Sequence, residues 1–200
     1  MPHAKGRQKM KQLTLILFLI PCLTFAQVDI KKQIDSLKFV TEVPYAGEIM
    51  IDKENLSNSD TFVYNIGCGD RFLWDVVKLK EKAIPYLLEL LDDTRETPAS
   101  FPYQGGQCTV GKIAYIALQE IIHGIPTAKL LNVNPEDFDC GYCYYHITLD
   151  KRKNRKKFKK AVKQWYEQNK VNLVWINRPG FGTCDCSGKH PNGGHFELKK

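Results

Sequence analysis

Sulfur is the most concentrated reactive chemistry in this chain, and it falls in two tight pairs, Cys140-Gly-Tyr-Cys143 and Cys184-Asp-Cys186. A pair two residues apart together with a second pair can hold Zn²⁺ tetrahedrally, with His190 and His195 as alternative ligands. The same thiols can instead bond to one another. Cys184 and Cys186 are too close to bridge without straining the disulfide dihedral, so each is expected to reach elsewhere, to Cys140 or Cys143. Such a bridge closes a loop of about 40 residues and contributes on the order of 3–4 kcal/mol. A redox role for Cys140 and Cys143 fits poorly. Pro135-Glu-Asp-Phe-Asp139 precedes them, and acidic neighbours raise a thiolate's pKa rather than lower it.

Cys108 is a separate candidate. Gln104-Gly-Gly-Gln-Cys108-Thr precedes an apolar-periodic segment that starts at Val110, where helix N–H groups and the dipole favour a thiolate. A nearby glutamine can donate to an oxyanion and a histidine can act as base, which would complete a nucleophilic site at Cys108. Cys68, in another glycine-flanked loop, competes for the same sulfur, and a Cys68–Cys108 disulfide is the expected outcome. His190-Pro-Asn-Gly-Gly-His195 could form half a metal site around a turn. Asn192-Gly193 makes the same turn with both rings in water, which is the simpler expectation. His123 and His146 are isolated in sequence and require no functional explanation.

The compartment decides between these chemistries. Lys5, Arg7, Lys9 and Lys11 give a basic start, Leu13 to Leu23 an apolar run, and Thr24-Phe25-Ala26 a small-residue cleavage site, so residues 1–26 are expected to be a secretory signal peptide. Met1 and Met10 both serve as a start for it. Pro21 before Cys22 argues against a lipoprotein site, and the apolar run is shorter than the roughly 20 residues a span needs. After cleavage the chain is expected to have no membrane span and to reach the periplasm or the exterior. Six cysteines then remain, Cys68, Cys108, Cys140, Cys143, Cys184 and Cys186, and an oxidising compartment favours disulfides. No cofactor is expected, with zinc as the alternative.

Apolar spacing outlines the elements that must position these residues. Ile30, Ile34 and Leu37 predict an opening helix, and Leu73, Val76 and Val77 a second over about Arg71–Leu79. Between them, Pro44, Gly47 and the polar cluster from Asn55 to Asp60 break up the pattern. Ile84, Leu87, Leu88 and Leu91 predict a third helix. Val110, Ile113, Ala114, Ala117, Leu118 and Ile121 predict a fourth, stopped by Gly124 and Pro126. The stretch Thr94 to Thr109 that joins these two reads as a loop, with two prolines and a Gly-Gly pair. Phe158, Ala161, Val162 and Trp165 predict a helix over about Lys151–Asn169. Thr61–Ile66 and Val171–Ile176 predict short strands. The expected class is mainly α, with minor β. Residues 27–176 form an α-rich domain, and residues 177–200 an irregular tail rich in Cys, His and Gly packed on it.

Two stretches resemble known families. Ala83-Ile-Pro-Tyr-Leu-Leu-Glu-Leu-Leu-Asp-Asp93 and Val110-Gly-Lys-Ile-Ala-Tyr-Ile-Ala-Leu-Gln-Glu-Ile121 resemble one HEAT-type helical hairpin, over about Lys78–His123. The family places proline in the first helix, closes it with Asp, and lines the second with Val, Ala and Leu. Gly111 departs from the pattern, standing where a basic residue is usual, and the connecting loop is longer than the family's turn. Only one unit is evident, and stacked repeats need about three to bury a core, so the resemblance implies a HEAT-like pair inside a small domain. Gly193-Gly-His195-Phe-Glu-Leu198 resembles the His-bearing strand of papain-like cysteine hydrolases. That resemblance implies Gln104 for the oxyanion hole, Cys108 for the nucleophile and His195 for the base.

Charge adds the last feature. With residues 1–26 removed the balance is 25 minus 22, or +3, and nine of those cations lie between Lys151 and Lys163. Lys151, Arg152, Lys153, Arg155, Lys156, Lys157, Lys159, Lys160 and Lys163 share a helix with the apolar Phe158, Val162 and Trp165. A solvated face is the ordinary reading, and attraction to an anionic surface, polysaccharide or acidic partner the functional one. No nucleic-acid recognition motif accompanies the stripe. The expected function is an exported, disulfide-stabilised, non-enzymatic binding or scaffold domain with a protein or anionic-surface partner. The alternatives are the cysteine hydrolase and a zinc-binding module.

Overall fold

The computed structural model describes residues 29–49, 63–100, 106–138, 145, 148–177 and 193–199. Helix α1, residues 29–35, tightens into a 3₁₀ turn at Ser36–Phe39 and turns Ile34 and Leu37 into the core. Helix α2, Arg71–Val77, starts where Asp70 can cap it. One carboxylate oxygen accepts from the N–H groups of Phe72 at 2.9 Å and Leu73 at 3.2 Å. The other accepts from Thr41 N–H at 2.6 Å, which ties α2 to the chain leaving α1.

Helix α3, Ile84–Leu90, opens with Pro85 in its first turn, where a missing N–H costs nothing. Helix α4, Val110–Ile121, is capped by the Thr109 hydroxyl, which accepts from Lys112 N–H at 3.3 Å. Leu87, Leu88 and Leu91 of the α3 segment are buried in one core with Ile113, Ala114, Ala117 and Leu118 of α4. Short helix α5, Thr127–Leu131, follows Gly124, whose φ of +79° stops α4 as expected. Helix α6, Arg152–Asn169, buries Phe158 and Val162. Phe158 meets Tyr115 edge-on at 4.9 Å between centroids, and Tyr115 stacks on Tyr145 at 4.9 Å.

Among the described residues, three two-stranded antiparallel sheets complete a mainly α fold. Strands β1, Pro44–Ile49, and β2, Val63–Cys68, form the first. Strands β3, Glu96–Ser100, and β4, Gln107–Thr109, form the second, and β5, Leu173–Asn177, with β6, Gly194–Leu198, the third. Two sequence expectations are corrected here. Pro44 and Gly47 do not break the chain. Both lie in β1, and Pro44 is its first residue, a position that needs no ladder N–H. Within Thr94–Thr109, Glu96–Ser100 and Gln107–Thr109 are paired antiparallel strands rather than loop. Thr97 and Ala99 point inward while Glu96, Pro98 and Ser100 point out, a period of two that the prolines mask in the sequence.

Gly111 explains its own departure from the HEAT pattern. A Cβ there would lie 2.8 Å from the Asp93 carbonyl oxygen and 3.0 Å from those of Leu90 and Leu91. Its N–H donates to the same Asp93 carbonyl at 3.0 Å. The end of α3 therefore presses directly on the first turn of α4, and no side chain fits between them.

Strand β6 fixes the carboxyl end against the domain. His123 N–H donates to Phe196 O at 2.8 Å, and Ile122 bridges Phe196 in parallel. Lys80, held at φ +54°, places its ammonium 3.9 Å from the centroid of Trp175 on β5. The expected signal peptide, residues 1–26, lies outside the described residues. Among those described, no helix is long and apolar enough to cross a membrane.

Candidate functional site

Cys108 lies on β4, one residue before the cap of α4, so the sequence located it correctly at a helix amino end. Its environment reverses the chemistry inferred from that position. The residue is fully buried, and burial pushes the thiol up to about 12, with only partial opposition from Lys112. The loss of hydration of a thiolate in an apolar core exceeds what the helix dipole and one lysine return. Burial also holds the Tyr145 phenol well above its ordinary value. At neutral pH Cys108 is a protonated, core-packing side chain. The Cys108 carbonyl accepts from the Thr97 hydroxyl at 2.9 Å, which fixes β3 on β4.

The structure does not bring Cys108 and His195 together. Cys108 precedes the first turn of α4, and His195 lies on β6, which joins the chain just past the last turn at Ile122. The twelve residues between those ends make about 18 Å of helix. A base at that distance cannot take a proton from the thiol. Gln104, the third member of the set, lies outside the described residues. Nor are Cys68 and Cys108 bonded to each other: each stands as a free thiol, Cys68 half-buried at the end of β2 and Cys108 in the core.

His195 has different neighbours from those expected. It is 6% exposed, and its Nε2 lies 2.6 Å from Glu197 Oε1 on the same face of β6. The exposed His123 places its ring centroid 4.9 Å from that of His195. His123 is isolated in sequence but not in space, because nothing local indicates that the end of α4 meets β6. The alternation of His195 and Glu197 along a strand was visible and could have signalled their pairing. Among the described residues, no group of three or more His, Cys, Asp and Glu side chains is arranged to hold a metal ion. Cys140, Cys143, His146, Cys184, Cys186 and His190 lie outside the described residues.

The chain matches no protein-family model, no curated protein and no solved structure.

The nine cations of α6 and its cap divide into two sets. Lys159 is half-buried and donates to Asp92 Oδ1 at 2.7 Å and to the Glu89 carbonyl at 2.5 Å. Lys163 pairs with the Glu89 carboxylate. The hydrogen bond from Lys163 holds Glu89 below its ordinary range, and that from Lys159 does the same for Asp92. Arg155 donates to the carbonyls of Leu149 at 2.8 Å and Asp150 at 2.7 Å. These three cations are structural, since they clamp α6 to α3 and to the segment before it. The sequence did not reveal that Glu89 and Asp92 were their partners.

The other six, Lys151, Arg152, Lys153, Lys156, Lys157 and Lys160, are exposed. Among the described residues no carboxylate forms an ion pair with any of them, though Lys156 lies close enough to Asp92 to help lower its pKa. The first turn of α6 holds no acidic residue, and Lys151 at the N-cap offers no side-chain cap. Cations at a helix amino end oppose the macrodipole, at about 0.3–1 kcal/mol each near the end. Like charges three and four residues apart add a few tenths more. The fold tolerates this cost on a face that contributes nothing to the core.

Proposed function

We propose that this protein is an exported, non-enzymatic binding domain, built on a HEAT-like hairpin of α3 and α4 and carrying disulfides among Cys140, Cys143, Cys184 and Cys186. The observation that supports it is the state of Cys108. This thiol, at a helix amino end where the dipole favours a thiolate, is buried, protonated and a helix length from the histidine that would have served as its base. The packing of α3 on α4 around Gly111 gives the hairpin a rigid seat, in keeping with a scaffold that presents a surface. That surface is the outer side of α6, where exposed cations stand unpaired.

Alkylation kinetics test the reading. The folded chain is treated with iodoacetamide at neutral pH and mapped by peptide mass spectrometry, with and without denaturant. Cys108 is expected to stay unmodified until the chain unfolds. Rapid modification of Cys108 in the folded protein would restore the hydrolase and overturn the binding reading. The same maps, run without reductant, are expected to link Cys140 or Cys143 to Cys184 or Cys186. A folded exported chain with all four reduced would remove the disulfide scaffold.

A further inference from the structure

We infer that the outward face of α6 binds a linear anionic polysaccharide, laid along the helix axis over Arg152, Lys153, Lys156, Lys157 and Lys160. This rests on the binding reading above and names the ligand class of that surface.

Geometry comes first. At about 100° per residue, these five side chains fall within about 140° of arc, opposite the buried Phe158 and Val162. Lys153, the adjacent Lys156 and Lys157, and Lys160 form three levels about three to four residues apart, so cations recur about every 5 Å over some 10 Å of helix. Lys159 and Lys163 are occupied by Asp92 and Glu89, and Arg155 by backbone carbonyls, so the face stays supported when a ligand engages the others. The cations crowd at the end where the helix dipole is least favourable to them, and an anion laid there would relieve both the mutual repulsion and the dipole.

Residue type narrows the partner. Four of the five are lysines, which supply point charges; Arg152 alone offers the planar fork that grips a single phosphate or sulfate. Such a face reads charge density along a chain. The outward positions of α6 include no aromatic residue on which a base could stack, which disfavours single-stranded nucleic acid. They include no apolar residue that could enter a bilayer, since the apolar side of the helix packs on α4 and its neighbours. A row of repeated single anions on a flexible linear chain fits what remains, and its charges can be sulfates or carboxylates.

Fluorescence anisotropy tests this with the folded chain and labelled probes: a heparin hexasaccharide, a polyuronate oligomer, a single-stranded oligonucleotide of matched charge, and phosphatidylglycerol vesicles. At least one of the two polysaccharides is expected to bind more tightly than the oligonucleotide and the vesicles. Neutralising about four charges should give a slope near −3 for log K against log salt, a loss of about 60-fold between 50 and 200 mM. The K153E/K156E/K157E/K160E variant should lose that binding, the corresponding four-arginine variant should keep it, and K31E/K32E on the exposed side of α1 should leave it unchanged. Circular dichroism confirms that each variant is folded. Undiminished binding by the glutamate variant, or a preference for oligonucleotide or vesicles, would overturn the proposal. Such a failure would leave Cys108 unreactive, whereas a reactive Cys108 would sink the broader reading whatever the polysaccharide does.

Discussion

Helices α4 and α6 both begin with side chains that a sequence reader would call functional, and the two beginnings behave in opposite ways. At the start of α4 the dipole favours an anion, yet burial keeps the Cys108 thiol protonated. At the start of α6 the dipole opposes cations, yet Lys151, Arg152 and Lys153 stand exposed there. The dipole is comparable at the two ends; exposure differs. Water hydrates an unfavourably placed lysine at small cost, whereas the core cannot hydrate a favourably placed thiolate. A helix terminus thus indicates which charge is preferred, and burial decides whether any charge is carried.

The comparison can be broken most severely at the apolar side of α6. Phe158→Ala removes the ring that meets Tyr115 and Tyr145, and should cost about 3–5 kcal/mol, read as a fall in urea midpoint. A small loss would mean that α6 is not seated as described. Next is the start of α4. Gly111→Ala forces a methyl against three carbonyls at the end of α3 and should cost about 1–3 kcal/mol by the same measurement. Thr109→Ala removes the cap beside Cys108 and should cost about 1 kcal/mol while leaving the thiol unreactive. An accessible thiol in that variant would show the cap, rather than the core, to be what shields it.

The smallest effect is a pH dependence. Glu89 and Asp92 titrate below their ordinary values of 4.5 and 3.8 in the folded protein. The unfolded chain therefore takes up their protons first as pH falls. Their contribution is complete above those ordinary values and disappears as pH drops through the lower folded ones. The stability gap between the wild type and K159M/K163M should accordingly be present at neutral pH and close in acid, below the ordinary carboxylate range. A gap that persists in acid would assign the lysines a packing role instead.

The sequence made the helices legible because their apolar residues repeat locally. The spacing of Ile113, Ala114, Ala117 and Leu118, or of Phe158 and Val162, needs no knowledge of the partner surface. Strands β1 and β3 were hidden by Pro44 and Pro98, which are tolerated at a strand start and at an exposed strand position. The candidate site was legible only in part. That Cys108 precedes a helix is local, but its burial beneath the rest of the core is not. The meeting of His123 with His195, and of Lys159 with Asp92, depends on segments far apart in the chain, with no local trace. The cationic row was visible from the outset. Which of its members were already occupied was not.

The most direct measurement is urea unfolding of the wild type and of K153E/K157E, each with and without a saturating heparin hexasaccharide. An acidic residue at position 153, in the first turn of α6, suits the dipole, so the variant alone should be more stable than the wild type by about 0.3–1 kcal/mol in total. The hexasaccharide should raise the wild-type midpoint, because a ligand that binds only the folded chain stabilises it, and should leave the variant's unchanged. A variant no more stable than the wild type, together with equal ligand shifts in both, would contradict the assignment of binding to this face.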